Sequence, residues 1–230
     1  MADKLLSTGL ATLDNELEGG LLPGSLVYMS ADSMAMAEIF LYQFLQQRPT
    51  YYVNTERKPE FILNNLKQFG FKTKDITFIN VHGKCYEKEE ILLDYSGELK
   101  EYKILNYLIK QLEAIEARDV NLIVDTITFF LHFGVRKDMI RQLIDTIYNT
   151  TKKLGGLGFL YGLKSETRPS IENEVINICD VVFDISMIKK SDKTITELVI
   201  PKARDRPIHG NVLKFKIEGG IIMDTSREIV

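Results

Sequence analysis

The chain has 230 residues, 45% apolar and 27% charged, and its 29 basic and 32 acidic side chains give a formal net charge of −3. That size and balance fit one large globular domain and exclude a generally basic nucleic-acid coat. Cys85 and Cys179 lie far apart and offer neither a metal spacing nor a disulfide framework. The opening MADKLLSTG has no apolar signal core, and no apolar run approaches membrane-spanning length. A cytoplasmic protein with no membrane association is predicted.

In chain order, residues 25–30 read as a buried strand opening after the turn-forming Pro23-Gly24, and 33–47 as a helix. A second strand covers 50–55. Pro59 starts a helix over 60–69 that Gly70 closes. A third strand spans 76–81. Residues 82–98 are polar and unpatterned, and read as a surface excursion. Ile104, Leu105, Leu108, Ile109, Leu112 and Ile115 then mark one apolar helical face within 99–118. A fourth strand over 121–125, an amphipathic helix over 137–154 and a fifth strand over 158–163 follow. Strands alternating with helices predict an α/β fold, a mainly parallel sheet covered on both faces. The runs 181–189, 194–202, 212–217 and 221–223 alternate around turn sequences and predict antiparallel hairpins.

In an open parallel sheet, ligands bind beyond the carboxyl ends of the strands, and the first such point follows Ser30. The stretches Ser7-Thr-Gly, Leu13-Asp14, Gly19-Gly20 and Gly24-Ser25, leading into Leu26–Ser30, resemble the opening of the ATPase domain in the KaiC-like branch of the RecA superfamily. Tyr52 to Glu56, Pro59-Glu60 and Phe69-Gly70-Phe71 look like that family's second strand and following helix. Leu122 to Thr126 looks like its Walker B strand. Lys202-Ala-Arg204 resembles its K-x-R motif, and Phe215 to Ile221 its closing hairpin. The ordered set spans nearly the whole chain. It implies a single RecA/KaiC-like domain over 1–230, with 1–24 as an N-terminal lead-in and 181–230 as C-terminal hairpins, and an archaeal origin.

The departure from that pattern falls on the phosphate loop, G-x-x-x-x-G-K-[ST], whose glycines curl the backbone around phosphate while lysine and hydroxyl meet phosphate and magnesium. Its eight positions here hold Ala31, Asp32, Ser33, Met34, Ala35, Met36, Ala37 and Glu38. Side chains at Ala31 and Met36 penalise the left-handed backbone that glycine permits. Ala37 removes the cation, and Glu38 brings a carboxylate to where an anion and its metal would sit. Asp32 is expected to cap the following helix in place of phosphate. No cofactor is therefore predicted, and ATP/Mg binding is expected to be lost or weak.

Glu56 resembles the family's water-activating carboxylate and Asp125 its Walker B acid. Their bland readings are a strand-end acid paired with Arg57 or Lys58, and an aspartate capping nearby amides. Lys202 and Arg204 resemble a basic pair that acts in trans on a neighbouring subunit; a solvated hairpin end is the alternative. His82, His132 and His209 stand alone and predict no metal site. Loops 129–137 and 164–173 mix basic with acidic residues, which argues against nucleic acid. The resulting expectation is an inactivated ATPase serving as a binding or regulatory module, in signal transduction or as a subunit of an oligomeric assembly. Its partners would be proteins, further copies of itself or an active RecA-like relative. The competing expectations are a working ATPase with an atypical loop and an accessory subunit of DNA recombination or repair.

Overall fold

The computed structural model describes residues 4–86, 100–165, 170–190 and 193–223. One nine-stranded sheet organises it, in the order β3-β2-β4-β5-β1-β6-β7-β8-β9. The strands are β1 (Leu26–Ala31), β2 (Thr50–Asn54), β3 (Ile76–Asn80), β4 (Val120–Asp125), β5 (Gly155–Leu163), β6 (Val181–Lys190), β7 (Lys193–Ala203), β8 (Leu213–Ile217) and β9 (Ile221–Met223). All pairings from β3 across to β6 are parallel, and those from β6 to β9 are antiparallel. The expected α/β architecture is the observed one.

The helices are α1 (Ala11–Glu16), α2 (Glu38–Phe44), α3 (Pro59–Gln68), α4 (Val81–Tyr86), α5 (Lys100–Glu113), α6 (Thr128–Leu131), α7 (Lys137–Leu154) and α8 (Ser170–Ile178). Strand residues alternate between two cores, because successive side chains point to opposite faces. Leu26, Tyr28, Val53, Leu122, Val124 and Leu160 meet the apolar stripes of α5 and α7. Val27, Met29, Tyr52, Ile123 and Phe159 meet α1 and α2 on the other face. There Phe44 stacks on Phe159 with centroids 4.5 Å apart, and Phe40 meets Phe215 edge-on at 5.3 Å. The stripe Ile140, Leu143, Ile144, Ile147, Leu154 recurs at helical spacing, so one face of α7 is buried along its length. Helix and sheet approach so closely at Gly158 that a Cβ would lie 2.6 Å from Thr151 Oγ1.

Three expectations change. The helix over 33–47 is only Glu38–Phe44, because 33–37 remain a loop. The excursion at 82–98 opens with α4, and its residues 87–98 lie outside those described. The loop over 164–173 gives way to α8 from Ser170, where Ile171, Glu172 and Val175 are buried. Among the described residues, no helix is long and apolar enough to cross a membrane.

Candidate functional site at the strand ends

The carboxyl ends of β1, β2 and β4 lie along one edge of the sheet, and residues 32–37 leave that edge from the end of β1. Asp32 follows the end of β1, and its side chain does not cap α2. That helix begins behind Ala37, with no side-chain cap. The Asp32 carboxylate instead turns to the neighbouring strands: Oδ2 accepts from Met187 N at 3.0 Å, and Oδ1 lies 3.3 Å from Lys164 Nζ. Lys164, just past β5, also reaches Asp184 Oδ1 at 2.6 Å and Ser186 Oγ at 2.7 Å. The expected cap is corrected for a simple reason. Met187 offers an amide on a parallel neighbour two residues past the last β1–β6 pair, Ala31↔Ile185, whereas α2 starts six residues downstream.

The loop also takes the left-handed backbone that its sequence disfavours. Met36, at the second glycine position, has φ of 48°. The short path from buried Ala35 to buried Ala37 requires that turn, and the side chain is left 44% exposed. Met34 is 70% exposed beside it. Ala37, at the lysine position, is fully buried, and Glu38 is half-buried in the first turn of α2.

Asp125 is the last residue of β4, with its side chain 5% exposed. Among the described residues it caps no backbone amide. Its Oδ2 accepts from Tyr52 Oη at 2.6 Å and lies 3.2 Å from Arg57 Nη2. Register explains the first contact: Asn54 pairs with Asp125, so Tyr52 sits diagonally opposite on the same face. Burial and then the Asp125 charge hold the Tyr52 phenol well above its ordinary pKa, so it remains the donor. Burial is the largest single influence and opposes the Arg57 charge, but Asp125 together with Tyr42, Tyr52 and Glu38 outweighs it, and the guanidinium is held above its ordinary value. Tyr161, beside Asp125 across the β4–β5 pairing, is pushed up by burial first and by Glu38 next. The strand ends beneath are tied together, Thr55 N and Oγ1 both donating to Asp125 O, at 2.9 and 3.1 Å.

The other sequence candidates separate from this cluster. Glu56 is exposed, and Arg57, one of the two partners foreseen for it, turns to Asp125 instead. Lys202 and Arg204 come together at the carboxyl end of α8. Lys202 Nζ donates to Ile176 O at 2.7 Å and Asn177 O at 2.9 Å; Arg204 donates to Asn177 O, Ile178 O and Cys179 O. These are the carbonyls a helix end leaves without partners, so a role on a neighbouring subunit would require breaking contacts that finish this chain's own helix.

Sequence reasoning gave Tyr52 and Lys164 no part in this site and offered Arg57, or Lys58, only as a partner for Glu56. The available signal was Arg57 itself, a base directly after the strand-end acid Glu56, in a chain that also lacks the loop lysine. Phosphate with magnesium requires a loop cation and carboxylate oxygens free to coordinate. Here the loop supplies buried Ala37 and acidic Glu38, while the inner oxygen of Asp125 already holds a phenol and a guanidinium. The residues present do not fit that group. Among the described residues, no three His, Cys, Asp or Glu side chains gather as a metal site.

A family model described as a family of unknown function (DUF7125) matches residues 5–230. No curated protein matches the chain. Among solved structures, the chain is similar to the KaiC-like protein PH0186 from the hyperthermophilic archaeon Pyrococcus horikoshii OT3. The identity is 18%, the match covers 96% of this chain and 99% of that one, and the TM-score is 0.71. The fold is therefore RecA-like, of the KaiC kind.

Proposed function

The chain belongs to this family of unknown function, and on its own residues we propose that it is an inactivated RecA/KaiC-like ATPase, a binding or regulatory module that keeps the scaffold without the nucleotide chemistry. One observation carries the reading. At the place where the fold would meet a metal-bound phosphate, Arg57 sits on Asp125, and the loop above contributes Ala37 and Glu38. A nucleotide phosphate would meet two carboxylates and no loop cation, and it would have to displace a guanidinium from a nearly buried partner.

With its own site closed, the module acts through proteins, either further copies of itself or an active RecA-like relative. Exposed Met34 and Met36 on the loop, and the mixed charge elsewhere, suit protein contact better than a nucleic-acid backbone. Calorimetric titration of the purified protein with ATP and magnesium tests the reading. The expected result is no saturable heat up to millimolar ATP and an unchanged melting temperature. Saturable binding would overturn it and return the working-ATPase reading to first place.

A further inference from the structure

We propose that Arg57 is the resident cation of the strand-end site: a guanidinium carried by the chain itself, standing at Asp125 in the place of a divalent metal. The inference deepens the inactivated-ATPase reading and rests on it. Position, contact and charge each support it.

The turn bearing Arg57 is fixed in place. Asn54 Nδ2 donates to Arg57 O at 2.8 Å and to Asn80 Oδ1 at 2.9 Å, and Asn80 Oδ1 also accepts from Gly83 N at 2.9 Å. The ends of β2 and β3 and the start of α4 thus hold one residue's backbone. From there the side chain reaches Asp125 Oδ2 at 3.2 Å, on the oxygen that also takes the Tyr52 hydroxyl. Any metal approaching that oxygen meets two donors already in place.

The charge balance turns on the same residue. Asp125 and, more weakly, Glu38 both act on the Arg57 guanidinium, as do the phenols of Tyr42 and Tyr52, and the charges of Glu38, Asp125 and Arg57 all act on Tyr161. With Arg57 removed, the two carboxylates would lose the cation both act on, and one of them is almost fully buried. A buried carboxylate with no countercharge is costly. Magnesium is commonly held by one or two carboxylates with water completing its shell, so a divalent cation is the natural replacement. A metal comes and goes with solution conditions, whereas a tethered guanidinium does not. This edge of the sheet is accordingly independent of magnesium and of chelators.

The experiment compares melting temperatures of the wild type, Arg57→Ala and the double variant Arg57→Ala/Asp125→Asn, each in a chelator and in millimolar magnesium or manganese, without nucleotide. The wild type is expected to melt identically in all three solutions. Arg57→Ala is expected to melt roughly 6–12 °C lower in chelator and to regain much of that loss with the metal. The double variant, lacking the inner carboxylate, is expected to show no response to metal. An Arg57→Ala protein that melts like the wild type, or whose loss metal does not relieve, would overturn the proposal; so would a wild type stabilised by metal to the same extent. If Arg57→Ala does not fold, Arg57→Gln keeps the stem and a neutral donor and carries the same comparison. The nucleotide titration of the wild type is a separate measurement, so failure of the functional reading and failure of the cation role can be told apart.

Discussion

Two acid–base clusters flank the 32–37 loop, and they differ chiefly in depth. At Asp125 the carboxylate side chain is 5% exposed and its guanidinium partner 30%. At Asp32 the carboxylate is 38% exposed, and Lys164 bridges it to Asp184, itself 41% exposed. The contacts are alike on paper, and the Lys164 pair with Asp184 is the shorter of the two ion pairs. Their weight differs because water screens the outer carboxylates and hardly reaches Asp125, whereas the two cations, Lys164 at 23% and Arg57 at 30%, are similarly exposed. The inner cluster sets the charge state of the site, whereas the outer one ties down the beginning of the loop.

That contrast can be broken in stages. Replacing Tyr52 by phenylalanine removes the hydroxyl from Asp125 and leaves a buried oxygen one donor short. We expect a loss of about 1–3 kcal/mol in urea unfolding, with an unchanged slope. A smaller loss, about 0.2–1 kcal/mol and shrinking in high salt, is expected for Lys164→Met at the outer cluster. Equal losses for the two variants, or a Tyr52→Phe loss that salt erases, would show that depth is not the deciding difference. The third change has the opposite sign. Met36→Gly relieves a left-handed backbone that costs roughly 1–2 kcal/mol in a residue with a side chain. Part of that gain is offset by the greater freedom of glycine in the unfolded chain. A net stabilisation of a few tenths of a kcal/mol is expected; a destabilised Met36→Gly would mean that the exposed methionine contributes packing.

Much of the fold was legible because the sheet is buried on both faces and its helices carry clean stripes. The five parallel strands read at 25–30, 50–55, 76–81, 121–125 and 158–163, and the α7 pattern from Lys137 to Leu154, follow from local apolar spacing alone. The start of α2 was not legible. Met34, Ala35 and Met36 suit a helix as well as a loop, and what holds them out of one is Asp32 bonded to an amide 155 positions along the chain. The site divided in the same way. Asp125 is recognisable as an acid closing a strand, but its pairing with Arg57 spans 68 positions and depends on β2 lying beside β4. Lys202 and Arg204 look like free basic residues until α8 is known to end beneath them. That helix escaped notice because it is only nine residues long, with Ile171, Val175, Ile176 and Ile178 interleaved among Ser, Glu and Asn.

The central place of β1 has a kinetic consequence. It is an early strand in the chain, yet its two neighbours are β5, from Gly155, and β6, from Val181. A nascent chain that ends with α7 already holds β1, β2, β3 and β4 but neither strand that will flank β1. Its Leu26, Val27, Tyr28 and Met29, all fully buried in the finished protein, then have no sheet to join. Closing such distant pairings is entropically slow and leaves an apolar edge open meanwhile. Productive folding therefore waits on the last third of the chain, and during synthesis β1 is the segment that most needs shelter from the wrong partner.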